Sequence, residues 1–196
     1  LVDHVRGMGM DSLAVTDHGN LHAAWSFYEA AKAAKIRPIL GFEAYLAFGS
    51  RRQREKPSGA PAFYSHLVLL AQNRTGFRNL VKLASSASLE GFYYKPRIDK
   101  DLLQAHHEGI ICLSGCVSSE FNRAILRGTD PEESLQRAIE IARWFRNLFG
   151  ERYFIEIMNN GIQIQRLALE GAVHVARELD IPLVATCDAH YVDRDD

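Results

Sequence analysis

Short apolar runs separated by amphipathic stretches constrain this chain more than any other feature. SLAVTDHG (12–19), RPILGFEAYLAF (37–48), SHLVLLAQ (65–72), GIICLSGC (109–116), RYFIEIM (152–158) and IPLVATCD (181–188) read as strands. Between them the spacing predicts helices. One runs from a cap at Asn20 to about Lys35, with Trp25, Tyr28 and Ala31 near 3.6 spacing. A second opens at Thr75 and carries Phe77, Leu80, Val81 and Ala84 as its stripe. A third starts at Asp130-Pro131-Glu132-Glu133, presents Leu135, Ile139, Ala142, Phe145 and Phe149 on one face, and stops at Gly150. A fourth covers roughly 163–179. Strands alternating with helices predict a parallel sheet and an α/β fold. Two stretches fall outside this rhythm: 49–61, charged and rich in Gly, Pro and Ser, reads as a mobile solvated loop, and LEGFYYKPRIDK (89–100) as irregular, aromatic and basic. Leu1, Val2 and Val5 followed by Gly7 and Gly9 read as a helix tail, and YVDRDD stops just past a polar cluster. Both ends are expected to be cut from a longer chain.

Polar residues gather where these strands end. Asp17 and His18, then Cys116, Asn159 and Asn160, then Asp188 and His190 follow apolar runs; Glu43 interrupts one, and His66 heads another. Gathering such residues from several strands suits the mouth of a (β/α) barrel; an open doubly wound sheet would draw its ligand site from fewer strands. Because side chains at i and i+2 share a face of a strand, Thr186, Asp188 and His190 are expected to project together beyond a strand at 181–185. Imidazole, carboxylate and thiolate donors favour zinc or a similar divalent ion over magnesium or calcium. More donors than one tetrahedral ion needs suggests a cluster, and two or three ions about 3.5–4 Å apart suit phosphoester hydrolysis. Taken singly, none of these residues compels a metal: Cys116 fits a core thiol, Glu43 a salt bridge to an arginine, and Asp188–His190 a hydrogen bond closing a loop. His4, His22, His106, His107 and His174 read as packed or solvated, and Cys112 and Cys187 as core thiols.

Composition narrows the setting. With 47% hydrophobic residues the chain can build a real core, while a net charge of −1 leaves no overall electrostatic footprint of nucleic-acid binding. No apolar run is long enough to cross a bilayer. That lack predicts no membrane partner, and three cysteines without a Cys-x-x-Cys pair predict a reduced, cytoplasmic environment. Helical His-Glu-x-x-His, Gly-x-Ser-x-Gly and glycine-rich nucleotide motifs do not occur, which argues against zinc peptidases, serine hydrolases and dinucleotide enzymes.

AVTDHGNLHAAWSFYEAAKAAKIRPILGFEAYLA, HLVLLAQNRTGFRNLVKL, GFYYKPRID, LSGC and VATCDAHYV together resemble the PHP (polymerase and histidinol phosphatase) domain that opens the alpha subunit of bacterial DNA polymerase III, a C-family replicative polymerase. The resemblance runs over essentially the whole chain. It implies a distorted (β/α) barrel across 1–196 with a polymerase module downstream. It also implies metal ligands at His18, Glu43, His66, Cys116, Asp188 and His190, with Asp17 behind them. The family's first strand, with its His-x-His pair, would lie upstream of Leu1, leaving the barrel incomplete here. Where many metal-bearing relatives read Asn-His-Gly this chain reads Asn-Asn-Gly, so Asn160 replaces a ligand by a poor zinc donor. The resemblance further implies a divalent cluster of zinc, or of manganese, and magnesium for the polymerase module. Implied partners are DNA, that module, the proofreading exonuclease subunit and the sliding clamp. For the domain itself it implies 3′–5′ exonuclease or phosphoesterase activity, or structural support. A free-standing PHP metallophosphoesterase and a non-catalytic, metal-stabilised interaction domain are the alternatives.

Overall fold

The computed structural model describes residues 1–192 and 195; the expected domain end at 196 lies outside the described residues. In chain order the elements are α1 (Val2–Gly7), β1 (Ser12–His18), α2 (Ala24–Ala33), β2 (Arg37–Ala47), β3 (Tyr64–Ala71), α3 (Arg74–Leu89), β4 (Phe92–Tyr93), β5 (Lys95–Ile98), α4 (Lys100–Ala105), β6 (Ile110–Leu113), α5 (Glu120–Arg127), α6 (Pro131–Phe149), β7 (Tyr153–Ile157), α7 (Gln163–Glu178) and β8 (Leu183–Ala185). They form a curled half-barrel of α/β type. The sheet order is β4-β5-β2-β3-β6-β7-β8, with β1 beside β2.

The sheet is mixed rather than parallel. β1–β2, β2–β5, β6–β7 and β7–β8 are parallel, but β3 runs antiparallel to both β2 and β6. The reason lies in the connection: 48–63 carries no crossover helix, and without one the chain can only turn back beside the strand it has just left. That reversal puts the N-terminal end of β3 at the edge where the parallel strands end.

β2 organises the core by alternation. Phe42, Ala44 and Leu46 point to one side, where they join Leu67, Leu69, Leu80, Leu83 and the α6 residues Ile139, Ala142, Phe145 and Phe149 in a continuous buried cluster. Glu43 and Tyr45 therefore point to the other side. A smaller cluster of Phe27, Ala31 and Ile36 seats α2 over β1.

Several local expectations are corrected. α2 buries Ala24, Phe27 and Ala31 and leaves Trp25 exposed. Its first turn is capped by Asp17, whose Oδ2 accepts from the Ala23 N–H at 2.8 Å; Asn20 forms its own turn, accepting from His22. α3 is capped by Asn73, not Thr75, and its Val81 is exposed. Residues 92–98 form a hairpin, not an irregular segment, because β5 finds a place beside the C-terminal half of β2. α5 had no expectation; Ser119 caps it by accepting from the Asn122 N–H. Cys187 is exposed rather than in the core, since β8 ends two residues before it. The stretch 49–61 is tethered at its start: Arg51 pairs with Asp99 at 2.9 Å and Glu90 at 2.7 Å, and buried Arg97 donates to the carbonyls of Arg51 and Gln53.

Candidate metal centre

Register builds the first half of the site. Pairing of β1 with β2 sets His18 beside Glu43, and antiparallel pairing of β2 with β3 sets His66 beside Tyr45. All four lie on the face opposite the core. His18 Nε2 lies 2.9 Å from Glu43 Oε2, and His66 Nδ1 lies 2.9 Å from Glu43 Oε1. Cys116 arrives from the far side of β3. Gly115, at φ +86°, turns the chain after β6, and a Cβ there would stand 2.9 Å from the His66 carbonyl oxygen. Glycine alone allows both the left-handed turn and this approach. The Cys116 sulfur then sits 3.7 Å from His66 Nδ1 and 3.9 Å from Glu43 Oε1.

Glu43 is only 7% exposed. Desolvating a lone carboxylate costs several kcal/mol, roughly, so its two imidazole partners are what make that position tolerable. Burial by itself would raise the Glu43 pKa, but His66, His18 and His190 outweigh it and hold the carboxyl below the ordinary value. Burial opposes charge on His66 as well, yet hydrogen bonding to Cys116 and Glu43 overrides it and lifts His66 to about 9. One proton thus stands where a cation would. Donor atoms of Glu43, His66 and Cys116 all lie within 4.8 Å of one another, a grouping that can hold a metal ion. An oxygen, a nitrogen and a sulfur donor in one place suit a borderline-soft divalent ion, so the residues fit the group the sequence implies.

The second half is built differently. β8 ends at Ala185, and Asp188 takes a left-handed backbone at φ +51°, so the strand alternation expected for Thr186, Asp188 and His190 does not continue that far. His190 Nδ1 contacts the Asp188 carbonyl oxygen at 2.9 Å, and its ring centroid lies 5.5 Å from that of His18. Both residues are exposed. Asn160 donates from Nδ2 to the Cys187 carbonyl at 2.9 Å, latching this loop. Asp17 is occupied with its helix cap.

Glu156 was missed by reasoning on residue types at strand ends. It is buried at 5% exposure, accepts from the Gly115 N–H at 3.0 Å and from the Thr186 hydroxyl at 2.6 Å, and its own N–H donates to Ser114. It ties the Cys116 turn to the loop bearing Asp188 and His190. Burial first, then the charges of Asp188 and Glu43, raise its pKa against those two hydrogen bonds. A carboxylate inside the apolar run YFIEI was the available signal, of the same kind as Glu43 in GFEAY.

A half-barrel whose carboxylate, imidazole and thiol side chains converge where its strands meet defines a class of metal-site α/β domain. The description "PHP domain" matches residues 1–160, and the chain belongs to the PHP family. It is 43% identical over 187 residues to the DNA polymerase III subunit alpha of Deinococcus radiodurans, covering 94% of this chain and 14% of that protein. The corresponding subunit of Borreliella burgdorferi is 41% identical over 196 residues, covering 100% of this chain and 17% of that protein. That of Thermus aquaticus is 44% identical over 189 residues, at 94% and 15%. The chain therefore spans about a sixth of the length of such relatives. Among solved structures, a Bifidobacterium adolescentis protein assigned as a metal-dependent phosphoesterase superposes with a TM-score of 0.54 at 13% identity, over 97% of this chain and 81% of that one, a likeness of fold.

Proposed function

We propose that this chain is the PHP portion, 1–196, of a bacterial replicative DNA polymerase alpha subunit, and that its cluster makes it a metal-dependent phosphoesterase acting 3′–5′ on a DNA end. The observation that carries this is the convergence of Glu43, His66 and Cys116 with His18 in contact with Glu43. His18, Glu43, His66, Cys116, Asp188 and His190 would hold the ions, zinc by the thiol's preference or manganese. When bound, such ions supply Lewis acidity toward phosphoryl oxygens and activate water at neutral pH. Glu43, buried between two histidines, fixes the imidazole orientations. Glu156 holds the Cys116 turn and the His190 loop at a set separation.

On this reading DNA synthesis belongs to a polymerase module downstream, with magnesium as its ion. Proofreading and sliding-clamp subunits are its partners, and the bacterial cytoplasm is its location. Identity above 40% to polymerase subunits across the chain supports this over a free-standing phosphoesterase. One observation favours a supporting, non-catalytic role instead: Asn160 spends its amide on a loop latch.

The test is metal analysis of the intact protein together with degradation of a 5′-labelled oligonucleotide. Stepwise shortening that disappears in His66→Ala, with primer extension retained, is expected. Asn160→His is expected to raise metal content and hydrolysis. Absence of metal and of shortening in both proteins would leave the supporting role.

A further inference from the structure

The β4–β5 hairpin stands beside the cluster and takes no part in it. The Lys95 ammonium lies 5.6 Å from the centroid of the Tyr45 ring. That ring is in turn 6.3 Å from His18 and 5.5 Å from His66, so one aromatic ring separates Lys95 from two of the candidate ligands. Gly19 closes the seam from below: a Cβ there would meet Pro96 at 2.8 Å and the Tyr45 ring at 2.9 Å, so the hairpin rests directly on the end of β1.

The tip is unusual in two respects. Tyr94 holds a left-handed backbone at φ +58°, a conformation disfavoured for an aromatic residue, and yet its side chain is 77% exposed. Phe92, on the same hairpin, is 60% exposed. Strain of this kind persists only where the surroundings impose it, and it collects at binding sites. The imposing contacts are visible: Tyr93 is fixed below the tip by Phe63 at 5.7 Å and by the buried Arg97 guanidinium at 5.5 Å, and the exposed Tyr94 ring meets Tyr93 edge-on at 4.6 Å, which keeps its face toward solvent. Cations accompany the rings. Lys95 is exposed and has no carboxylate partner among the described residues, and Arg54 is exposed on the 49–61 stretch.

We propose that this hairpin is a subsite for the single-stranded end of a nucleic acid, Tyr94 stacking on a base while Lys95 and Arg54 take backbone phosphates beside the cluster. Exposed rings interleaved with cations are what an unpaired strand binds, because every base offers a π-face and every linkage a charge. A paired duplex keeps its bases stacked, and a small phosphate would not reach the tip. The inference rests on the phosphoesterase reading for its chemistry, but its binding contacts are independent of it.

Photo-crosslinking of the intact protein tests it, using single-stranded oligothymidylate with 5-iodouracil near its 3′ end. A crosslink is expected on the tryptic segment 83–97, which holds Phe92, Tyr93 and Tyr94, because the Lys95–Pro96 bond resists trypsin. It should vanish in Tyr94→Gly, a variant that relieves the left-handed strain and so should fold at least as well. Where hydrolysis is measurable, Tyr94→Gly should raise KM for the oligonucleotide about tenfold, a modest share of a base-stacking contact. Hydrolysis of bis(p-nitrophenyl) phosphate should not change. Lys95→Gln should flatten the dependence of log affinity on log salt by roughly 0.7. A crosslink elsewhere only, or unchanged oligonucleotide KM and salt slope, overturns the subsite. So does a loss of primer extension in Tyr94→Gly with the crosslink retained, which would make the hairpin a contact within the protein. Crosslinking without hydrolysis of any phosphoester would instead discard the phosphoesterase reading and keep the subsite.

Discussion

The two halves of the candidate centre are made of similar residues and held in dissimilar ways. His18, Glu43, His66 and Cys116 sit on paired strands and a glycine turn, with a buried carboxylate touching two imidazoles. Asp188 and His190 stand on an exposed loop past the last strand, fixed by backbone contacts and by Asn160. A buried charge needs its partners whether or not an ion is present, so the first half is organised by its own electrostatics. The second half owes its position to Glu156 and the latch, and little in it would suffer if it moved. The lesson is that ligand type says little about how firmly a ligand is held; the register and burial beneath it decide.

Glu43→Gln should test this contrast most severely. Losing a direct donor that also orients two histidines is expected to weaken zinc binding by more than the roughly 10–100-fold seen when an outer partner is lost. His190→Ala should cost less. Chelator competition on both variants checks it, and equal losses would erase the distinction between the halves.

The next effect is on pH. Because His66 is held at about 9, an ion must displace its proton. Zinc binding must also displace the Cys116 thiol proton, so affinity is expected to rise by at least about tenfold per pH unit from 7 to 9, with proton release measurable in unbuffered solution. For the metal-free protein the sign is opposite. The stability contributed by protonated His66 is complete below the ordinary histidine value of 6.5 and is lost as pH climbs through about 9. Thermal midpoints with and without chelator should diverge over that window. Parallel curves would mean that His66 does not stand in the cation's place.

Glu156 lets the tie between the two halves be loosened, since it joins the Cys116 turn to the loop of Asp188 and His190. Glu156→Ala strands the Gly115 N–H and the Thr186 hydroxyl and should destabilise by about 1–3 kcal/mol. Glu156→Gln can still accept from Gly115 and donate to Thr186, and should recover most of that loss. Denaturant midpoints measure both, and two equally damaged variants would show that charge, not hydrogen bonding, is what the position requires.

The smallest effect is proteolytic. Arg51 and Arg52 are tied to Glu90, and the Lys56–Pro57 bond resists trypsin, so within 49–61 the first cut is expected after Arg54. Cleavage first after Arg51 would mean that the tether is not maintained in solution.

Much of this was written locally. Apolar runs and 3.6-residue stripes marked β1, β2, β3, β6, β7 and the three long helices α3, α6 and α7, and Asp130-Pro131 marked the start of α6, because caps and periodicity act within a turn or two of chain. Glu43 and His66 were legible as misfits in apolar strands. What the residues could not state was direction and distance. Nothing near His66 says that β3 runs backwards, and only that reversal brings its first residues to the end where β1 delivers His18. Asp17 looked like part of the same motif, yet its oxygen is spent on the Ala23 N–H, a choice made by where α2 begins. Alternation from Thr186 to His190 failed because strand geometry lasts only as long as a partner strand does, and β7 stops pairing at Ala185. Sequence sets which groups are available; long-range pairing, which no local pattern encodes, sets which of them meet.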